Sequence, residues 1–161
     1  MARFEPDPNV TLSVLDRLID NDPGSPADPP SGRLQSVRQL KAALRRDLEW
    51  LLNTRRNPDG VTETGSLLYK SLFNYGLPDI SNLTIQAVHD QNRLLRMMEG
   101  TISAFEPRIK GARVTLESAG PNSRVLRFVI EGLLDMDPAP ERVSFDTTLE
   151  LSSREYEIRG D

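Results

Sequence analysis

The sequence has 161 residues, 37% of them hydrophobic, with a formal net charge of −4 and no cysteine. This length fits one domain, and an acidic balance without a dominant basic face disfavours a partner bound through nucleic-acid phosphates. The lack of cysteine excludes disulfides, thiolate nucleophiles and cysteine-based metal sites within this sequence, and it suits a reducing cytoplasm.

Residues 1–32 are predicted to form a short amphipathic helix followed by a linker. The helix spans Thr11–Asp20, in which apolar residues recur at helical spacing: Leu12, Leu15, Leu18 and Ile19. A helix this short is unstable alone in water, so it must dock either on this domain or on a partner. Asp22–Gly32 reads DPGSPADPPSG and has too little apolar surface to order itself, which predicts a disordered or extended linker.

The first long helix is predicted over Arg33–Arg55 at the start of a single domain, residues 33–161. Its apolar stripe has steps of three and four residues: Val37, Leu40, Leu44, Leu48 and Leu51. Asn53 is expected to cap the C-terminus. Arg55 and Arg56 have two interpretations, either favourable charge beside the last carbonyls of the helix or contact with an acidic partner.

A turn over Asn57–Gly60 leads into a compact connection, Gly65–Ile80, with a short helical turn. Gly76 is expected to supply a positive φ, and Pro78 prevents continuation of a helix. The connection carries many large apolar residues, which predicts that it packs on the domain: Leu67, Leu68, Leu72, Phe73, Tyr75 and Leu77.

A second long helix is predicted from Leu83 to Phe105, with Ser81 or Thr84 as its cap. Its apolar positions follow a near-heptad line that two polar residues interrupt: Ile85, Val88, Asn92, Leu95, Glu99 and Ile102. Leu94, Met98 and Phe105 widen this line into a face. His89, the single histidine, has no second ligand at motif spacing, so it is interpreted as a surface residue. We expect no metal and no cofactor.

Three strands are predicted at the end of the chain, over residues 112–118, 124–134 and 143–152, where apolar and polar residues alternate. The expected fold class is therefore α+β, with two long helices packed on one face of a three-stranded antiparallel sheet. The sheet edges would be free to accept another strand unless something covers them.

The triplet Glu106-Pro107-Arg108 lies between the second helix and the first strand, and we call it the corner. Proline fixes its own φ and disfavours helical geometry at the preceding residue, so the helix should end at Phe105. The two charges are predicted to project from a stiff corner and bind another protein. The other interpretation is that they tie the helix end to the first strand of their own domain.

Four phrases of the sequence match a known family in their order and spacing. They are SVLDRL (13–18), DLEWLLNTRR (47–56), SLFNYGLPD (71–79) and FEPRIKGARV (105–114). Together they resemble the TssE family of small baseplate subunits of bacterial type VI secretion systems, which has relatives among the wedge proteins of contractile phage tails. Some relatives have carried a lysozyme-like name.

The resemblance implies a non-enzymatic structural subunit at a cytoplasmic, inner-membrane-associated baseplate, without direct membrane insertion. The implied wedge partners are TssF, TssG and TssK, with the spike protein as a further contact. The subunit would also help to initiate the contractile sheath of TssB/TssC, and its terminal sheet looks like the part of the sheath subunits that exchanges strands with neighbours. By the same resemblance, Glu106, Pro107 and Arg108 match the motif that holds wedge partners.

Two other functions remain open from the residues alone. A peptidoglycan hydrolase would use Glu106 with a second carboxylate such as Glu99 or Asp79. A neighbouring Arg108 would keep Glu106 ionised, which is unsuited to a general acid. An adaptor that binds extended peptides at its sheet edge differs from a baseplate subunit only in its partner. No phosphate-binding loop or Ser-His-Asp order is visible.

Overall fold

The computed structural model describes residues 18–19, 23–24, 33–63, 65–84, 87–117, 124–136 and 139–160, and the side chains from residue 37 onward within the first long helix. The predicted helix Thr11–Asp20 therefore lies outside the described residues except at Leu18 and Ile19. The predicted linker Asp22–Gly32 lies outside them except at residues 23–24.

Helix α1 spans Arg33–Asn53, close to the predicted range. All five residues of the predicted stripe are buried, and Ala43 and Leu52 widen it. The exposed face carries Trp50, whose ring lies 5.0 Å from the Arg46 guanidinium carbon. The 3.6-residue period of the stripe thus places α1 on the core along its length.

The connection after α1 contains two short 3₁₀ helices, Leu67–Lys70 and Leu72–Asn74. Leu77 is buried and Tyr75 packs against the core as predicted. The packing prediction is wrong for four other residues, because the 3₁₀ turns direct their side chains to solvent: Leu67, Leu68, Leu72 and Phe73.

Helix α2 spans Val88–Phe105, so it starts later than predicted. Its N-cap residue is Ala87, without a side-chain cap bond, and Asp90 in the first turn accepts the Thr84 N–H at 2.8 Å. The predicted apolar face is confirmed in part. Leu94, Met98 and Ile102 of that face are buried, together with Thr101, whereas Val88 and Asn92 at its N-terminal end are exposed.

The sheet has four strands, not three, in the order β1-β2-β3-β4 with antiparallel neighbours. Their ranges are Ile109–Glu117, Val125–Leu134, Glu141–Glu150 and Tyr156–Gly160. The fourth strand was missed because only Tyr156 and Ile158 mark its buried face, between charged neighbours. The chain reverses before it at Arg154, which has a positive φ of 61°.

Both helices pack on one face of this sheet, as predicted for the α+β class. The core joins the α1 stripe and the buried α2 line to one face of every strand, with Val114, Phe128, Ile130, Phe145 and Ile158 among its members. The other face carries charged residues, with opposite charges in register such as Arg113 beside Glu131. Neither of the described helices has the length and apolar character of a membrane span.

Candidate partner-binding site at the helix–strand corner

The corner is built by the end of α2 and the start of β1. Helix α2 ends at Phe105 as predicted, and Glu106 leaves helical geometry with φ −120° and ψ 76°. The Glu106 N–H still donates to the Ile102 carbonyl at 2.8 Å, and the Ile109 N–H donates to the Glu106 carbonyl at 3.2 Å. Only residues 106–108, with Pro107 at their centre, therefore separate the helix end from the start of strand β1 at Ile109.

Arg108 binds two carboxylates at this corner. Its Nε donates to Glu106 Oε1 at 2.6 Å, and its Nη2 donates to Glu106 Oε2 at 2.6 Å and to Asp47 Oδ2 at 2.6 Å. Asp47 also accepts two bonds from Arg46 at 3.0 and 2.8 Å. The corner is thereby tied to the middle of α1, 61 positions earlier in the chain. We call Asp47, Glu106 and Arg108 the ion triad.

The ion triad is largely withdrawn from water. The Glu106 side chain is only 7% exposed, against 26% for Arg108 and 22% for Asp47. The hydrogen bond to Glu106 is the main cause that raises the pKa of Arg108, and the bond to Asp47 adds to it. Burial raises the pKa of Tyr75, and the charges of Asp47 and Glu106 raise it further.

Tyr75 brings the connection between the helices to the same place. Its ring meets the Phe105 ring edge to face, with centroids 5.5 Å apart at 74°. Three separate parts of the chain thus converge at the corner: the middle of α1, the connection, and the α2–β1 junction.

The predicted site residues at the corner differ in where they lie. Glu106 is buried and Arg108 is half-buried, and each binds the other, while Pro107 alone is exposed. Arg108 Nη1 is enclosed and has no acceptor among the described residues. The side chains of Glu106 and Arg108 therefore bind within their own domain, which is one of the two interpretations that the sequence allowed. Pro107 forms the outer surface of the corner.

Arg55 and Arg56 also take different positions. Arg56 Nη2 donates to the Val61 carbonyl at 2.6 Å and so closes the turn that follows α1. Its backbone N–H donates to the Leu77 carbonyl at 2.8 Å. Arg55 is exposed. The pKa of Asp79 is lowered mainly by hydrogen bonds from the Ser81 hydroxyl and N–H, and the charge of Arg55 lowers it further.

Two residues that the sequence did not single out as sites hold the connection in place. Asn74 is buried, donates to the Val61 and Tyr69 carbonyls at 2.7 and 3.1 Å, and accepts the Val61 N–H at 2.9 Å. Gly76 has the predicted positive φ, 105°, and a Cβ there would lie 2.3 Å from the Thr54 carbonyl oxygen. The spacing of Asn74 and Gly76 was the only sequence feature that could have indicated this role. An asparagine two residues before a glycine is equally typical of an ordinary turn.

A helix side chain covers part of each outer sheet edge. On β4, Asn53 donates to the Tyr156 carbonyl and accepts the Tyr156 N–H, both at 2.8 Å, so it does not cap α1 as predicted. On β1, Glu99 of α2 accepts the Val114 N–H at 2.9 Å. We call these contacts the edge latches, because each occupies backbone groups that an added strand would need.

The three carboxylates considered for hydrolysis each have a structural contact. Arg108 holds both oxygens of Glu106, the Val114 N–H binds Glu99, and Ser81 donates its hydroxyl to Asp79 at 2.5 Å and its N–H at 3.0 Å. Within the described ranges, no cluster of three or more His, Asp or Glu side chains could hold a metal ion. The geometry thus favours a structural use of these groups.

The comparison with protein families agrees with this geometry. The family model described as "Baseplate wedge protein gp25" matches residues 38–139, which is more than half of the chain. The match includes the ion triad, both arginines after α1, the connection and strands β1 and β2. No curated protein and no solved structure gives a significant match.

Proposed function

This chain belongs to the family of the baseplate wedge protein gp25, and from that premise we propose that it is a non-enzymatic structural subunit of a type VI secretion baseplate. The observation that carries the proposal is the family match over residues 38–139, which covers most of α1, the connection, α2 and strands β1 and β2. Such a family supports a structural role in a phage-tail-like assembly. The choice of type VI secretion rests on the four phrases that resemble TssE.

The proposed partners are the wedge proteins TssF, TssG and TssK, with the spike as a further contact. In this proposal the subunit helps to initiate the TssB/TssC sheath, and it works on the cytoplasmic side of the inner-membrane-associated baseplate. Residues 1–32 would act as an extension of the folded domain 33–161.

Within this role we propose that the corner holds a wedge partner through its outer surface. The ion triad fixes Glu106 and Arg108 from inside, so the exposed Pro107 is presented in one geometry, and little entropy is lost when a partner binds it. The enclosed Arg108 Nη1 lacks an acceptor among the described residues, and a partner oxygen would reach it only if neighbouring side chains move.

Arg55 and Arg56 would contribute differently to partner binding. Arg55 is exposed just after the end of α1, so its guanidinium can pair with a partner carboxylate. Arg56 is held against the Val61 carbonyl and would act by shaping the turn from which Arg55 projects.

The test is co-purification of the full chain with TssF and TssG. Reversing the charge of Arg108 is a poor test, because Arg108→Glu would place a third carboxylate beside Asp47 and Glu106 and destabilise the domain itself. Pro107→Glu instead keeps all three residues of the ion triad and places a carboxylate at the exposed position of the corner. Because it also releases the φ that proline fixes, its fold is checked in the same experiment. Ser103→Glu, on an exposed position of α2, is its matched control.

We expect Pro107→Glu to lose co-purification while its circular dichroism spectrum and melting temperature stay close to those of the wild type. Arg55→Glu should weaken co-purification, and Ser103→Glu should not. Full co-purification by Pro107→Glu would refute the corner as the partner surface. Failure of the wild type to bind either wedge protein would refute the type VI assignment.

A further inference from the structure

Helix α1 and the residues just after it are basic in a chain that is acidic as a whole. Residues 33–56 contain seven basic and two acidic residues, a formal charge of +5, whereas the whole chain has −4. The other residues of the chain therefore carry −9. Charge asymmetry of this kind indicates that the basic part meets a partner of opposite charge.

The outward side of α1 carries three arginines and the single tryptophan of the chain. Arg38 and Arg45 are exposed, Arg46 is half-buried, and Trp50 is 53% exposed. We call these four residues the α1 face. Arg38 and Arg45 lie two helical turns apart on the same side of the helix, about 10 Å along its axis. Trp50 follows at the C-terminal end of the face, and Arg46 lies one turn before it.

Two cations of the α1 face are available to a partner. Arg38 and Arg45 form no ion pair in the part of the chain that the structure describes, whereas Lys41 of the same helix lies 2.9 Å from a carboxylate oxygen of Glu141. Glu49, one turn after Arg45, is half-buried and offsets part of their charge. The α1 face therefore keeps an excess of positive charge that no contact within the described domain uses.

Trp50 is held in a fixed position by its neighbour Arg46. The Arg46 guanidinium carbon lies 5.0 Å from the centre of the Trp50 ring. The same guanidinium donates two hydrogen bonds to Asp47 Oδ1, at 3.0 and 2.8 Å, which fixes it above the ring. An indole that is half exposed presents on the order of 100 Å² of aromatic surface. Tryptophan and arginine are the residue types most enriched at the centres of protein interfaces.

We propose that the α1 face binds an acidic segment of another protein. Carboxylates of that segment would pair with Arg38 and Arg45, and one of its apolar side chains would pack on Trp50. The inference goes beyond the proposed function, because it uses neither the corner nor the type VI assignment.

The charges of α1 argue against two other occupants. A two-fold symmetric contact between two copies through the α1 face would place its arginines against one another, and like charges repel. A nucleic-acid backbone would bring its phosphates against Asp47 and Glu49 of the same helix. An acidic protein segment can instead place its carboxylates beside the arginines and an apolar group beside the ring.

The first measurement is the fluorescence of Trp50 in the full chain, which contains no other tryptophan. We expect the emission of a solvent-exposed indole, with ready quenching by acrylamide, in dilute protein. Shielding from acrylamide in dilute protein would overturn the proposal and assign the α1 face to another part of the same chain. Shielding that increases with protein concentration would overturn it as well and assign the face to a second copy.

The binding probe is a synthetic helical peptide in which two glutamates repeat the spacing of Arg38 and Arg45 and a leucine is placed to reach Trp50. A peptide of the same composition in scrambled order is its control. We expect the matched peptide to shift the Trp50 emission to shorter wavelength with a Kd of about 0.1 mM, and the scrambled peptide to bind about tenfold more weakly. Equal affinity for the two peptides would overturn the proposal.

Two charge-reversal variants separate the α1 face from the net charge of the protein. Arg38→Glu with Arg45→Glu should weaken binding of the matched peptide by at least about tenfold. Arg93→Glu with Arg96→Glu, at exposed positions of α2, makes the same change in net charge and should leave the Kd within about twofold. Circular dichroism verifies the fold of both variants, and Trp50 remains the reporter in each.

Equal losses of affinity in the two variants would contradict a defined binding face on α1. A single-stranded oligonucleotide that binds more tightly than the matched peptide would also overturn the proposal and would assign the α1 face to nucleic acid.

Discussion

Removing Arg108 should destabilise the domain by about 3 kcal/mol. The reason is Glu106, whose side chain is 7% exposed and whose two oxygens both accept bonds from Arg108 at 2.6 Å. Breaking a buried pair from one side costs about 3–5 kcal/mol, whereas exposed pairs contribute about 0–1 kcal/mol. Arg108 and Asp47 are 26% and 22% exposed, so water screens part of the network and the lower end of the buried range applies.

The measurement is urea unfolding of Arg108→Met followed by circular dichroism. In a protein of this size, each kcal/mol lost from the free energy of unfolding lowers the melting temperature by about 2–4 °C. We therefore expect Arg108→Met to lower the melting temperature by about 6–12 °C. Arg93→Met, at an exposed position of α2, is the control for loss of an arginine and should change stability by under about 0.5 kcal/mol.

A double-mutant cycle separates the pair from other effects. Glu106→Gln removes the buried charge that Arg108→Met leaves unpaired. The double variant should therefore lose about 2 kcal/mol less free energy of unfolding than the sum of the losses in the two single variants. Strict additivity, or an Arg108→Met protein as stable as the wild type, would contradict an internal tie. It would then return Arg108 to the role of a direct partner contact.

Four further predictions concern the connection, helix α2 and the sheet edges. Asn53→Ala leaves both outward backbone groups of Tyr156 without their partner and should cost about 1–2 kcal/mol in urea unfolding. Gly76→Ala should lower stability by at least about 2 kcal/mol, because its φ is 105° and a Cβ would meet backbone at 2.3 Å. Gly100→Ala, inside α2 and without a neighbour within 4 Å, should raise it by about 0.5–1 kcal/mol. Glu99→Leu should increase concentration-dependent association in sedimentation, while Glu99→Gln, which keeps the acceptor for the β1 edge, should behave as the wild type.

The sequence was sufficient to predict those parts of the fold in which apolar residues recur at a regular helical or strand spacing. The α1 stripe repeats every three or four residues through Leu40, Leu44 and Leu48, and all three are buried. The alternation of Leu126, Phe128 and Ile130 likewise predicts the buried face of β2. Pro107 correctly predicts where α2 ends, because the restriction on the preceding residue is local.

The parts that could not be predicted depend on distant residues. Strand β4 is five residues long, and Asn53, 103 positions earlier, binds its outer edge. The direction in which Glu106 and Arg108 point is set by Asp47, 61 positions away from Arg108. No local sequence pattern indicates contacts between residues so far apart in the chain. The sequence therefore identified Glu106 and Arg108 as candidates, but it did not show whether their side chains point into the domain or towards a partner.

In the sequence analysis, the segment DLEWLLNTRR (47–56) contributed only to the family resemblance. In the structure, three of its residues contact other parts of the chain. The second half of α1 supplies Asp47 to the corner and Asn53 to the β4 edge, and Arg56, just after the helix, closes the turn that follows it. A change in the position of α1 would therefore act on the corner, a sheet edge and the connection at the same time. For a subunit that must hold several partners in fixed positions, we infer that this stiffness is the property that matters. In the proposed role, the internal tie and the partner-binding surface would be complementary, since the ion triad would stabilise the geometry in which Pro107 is presented to a partner.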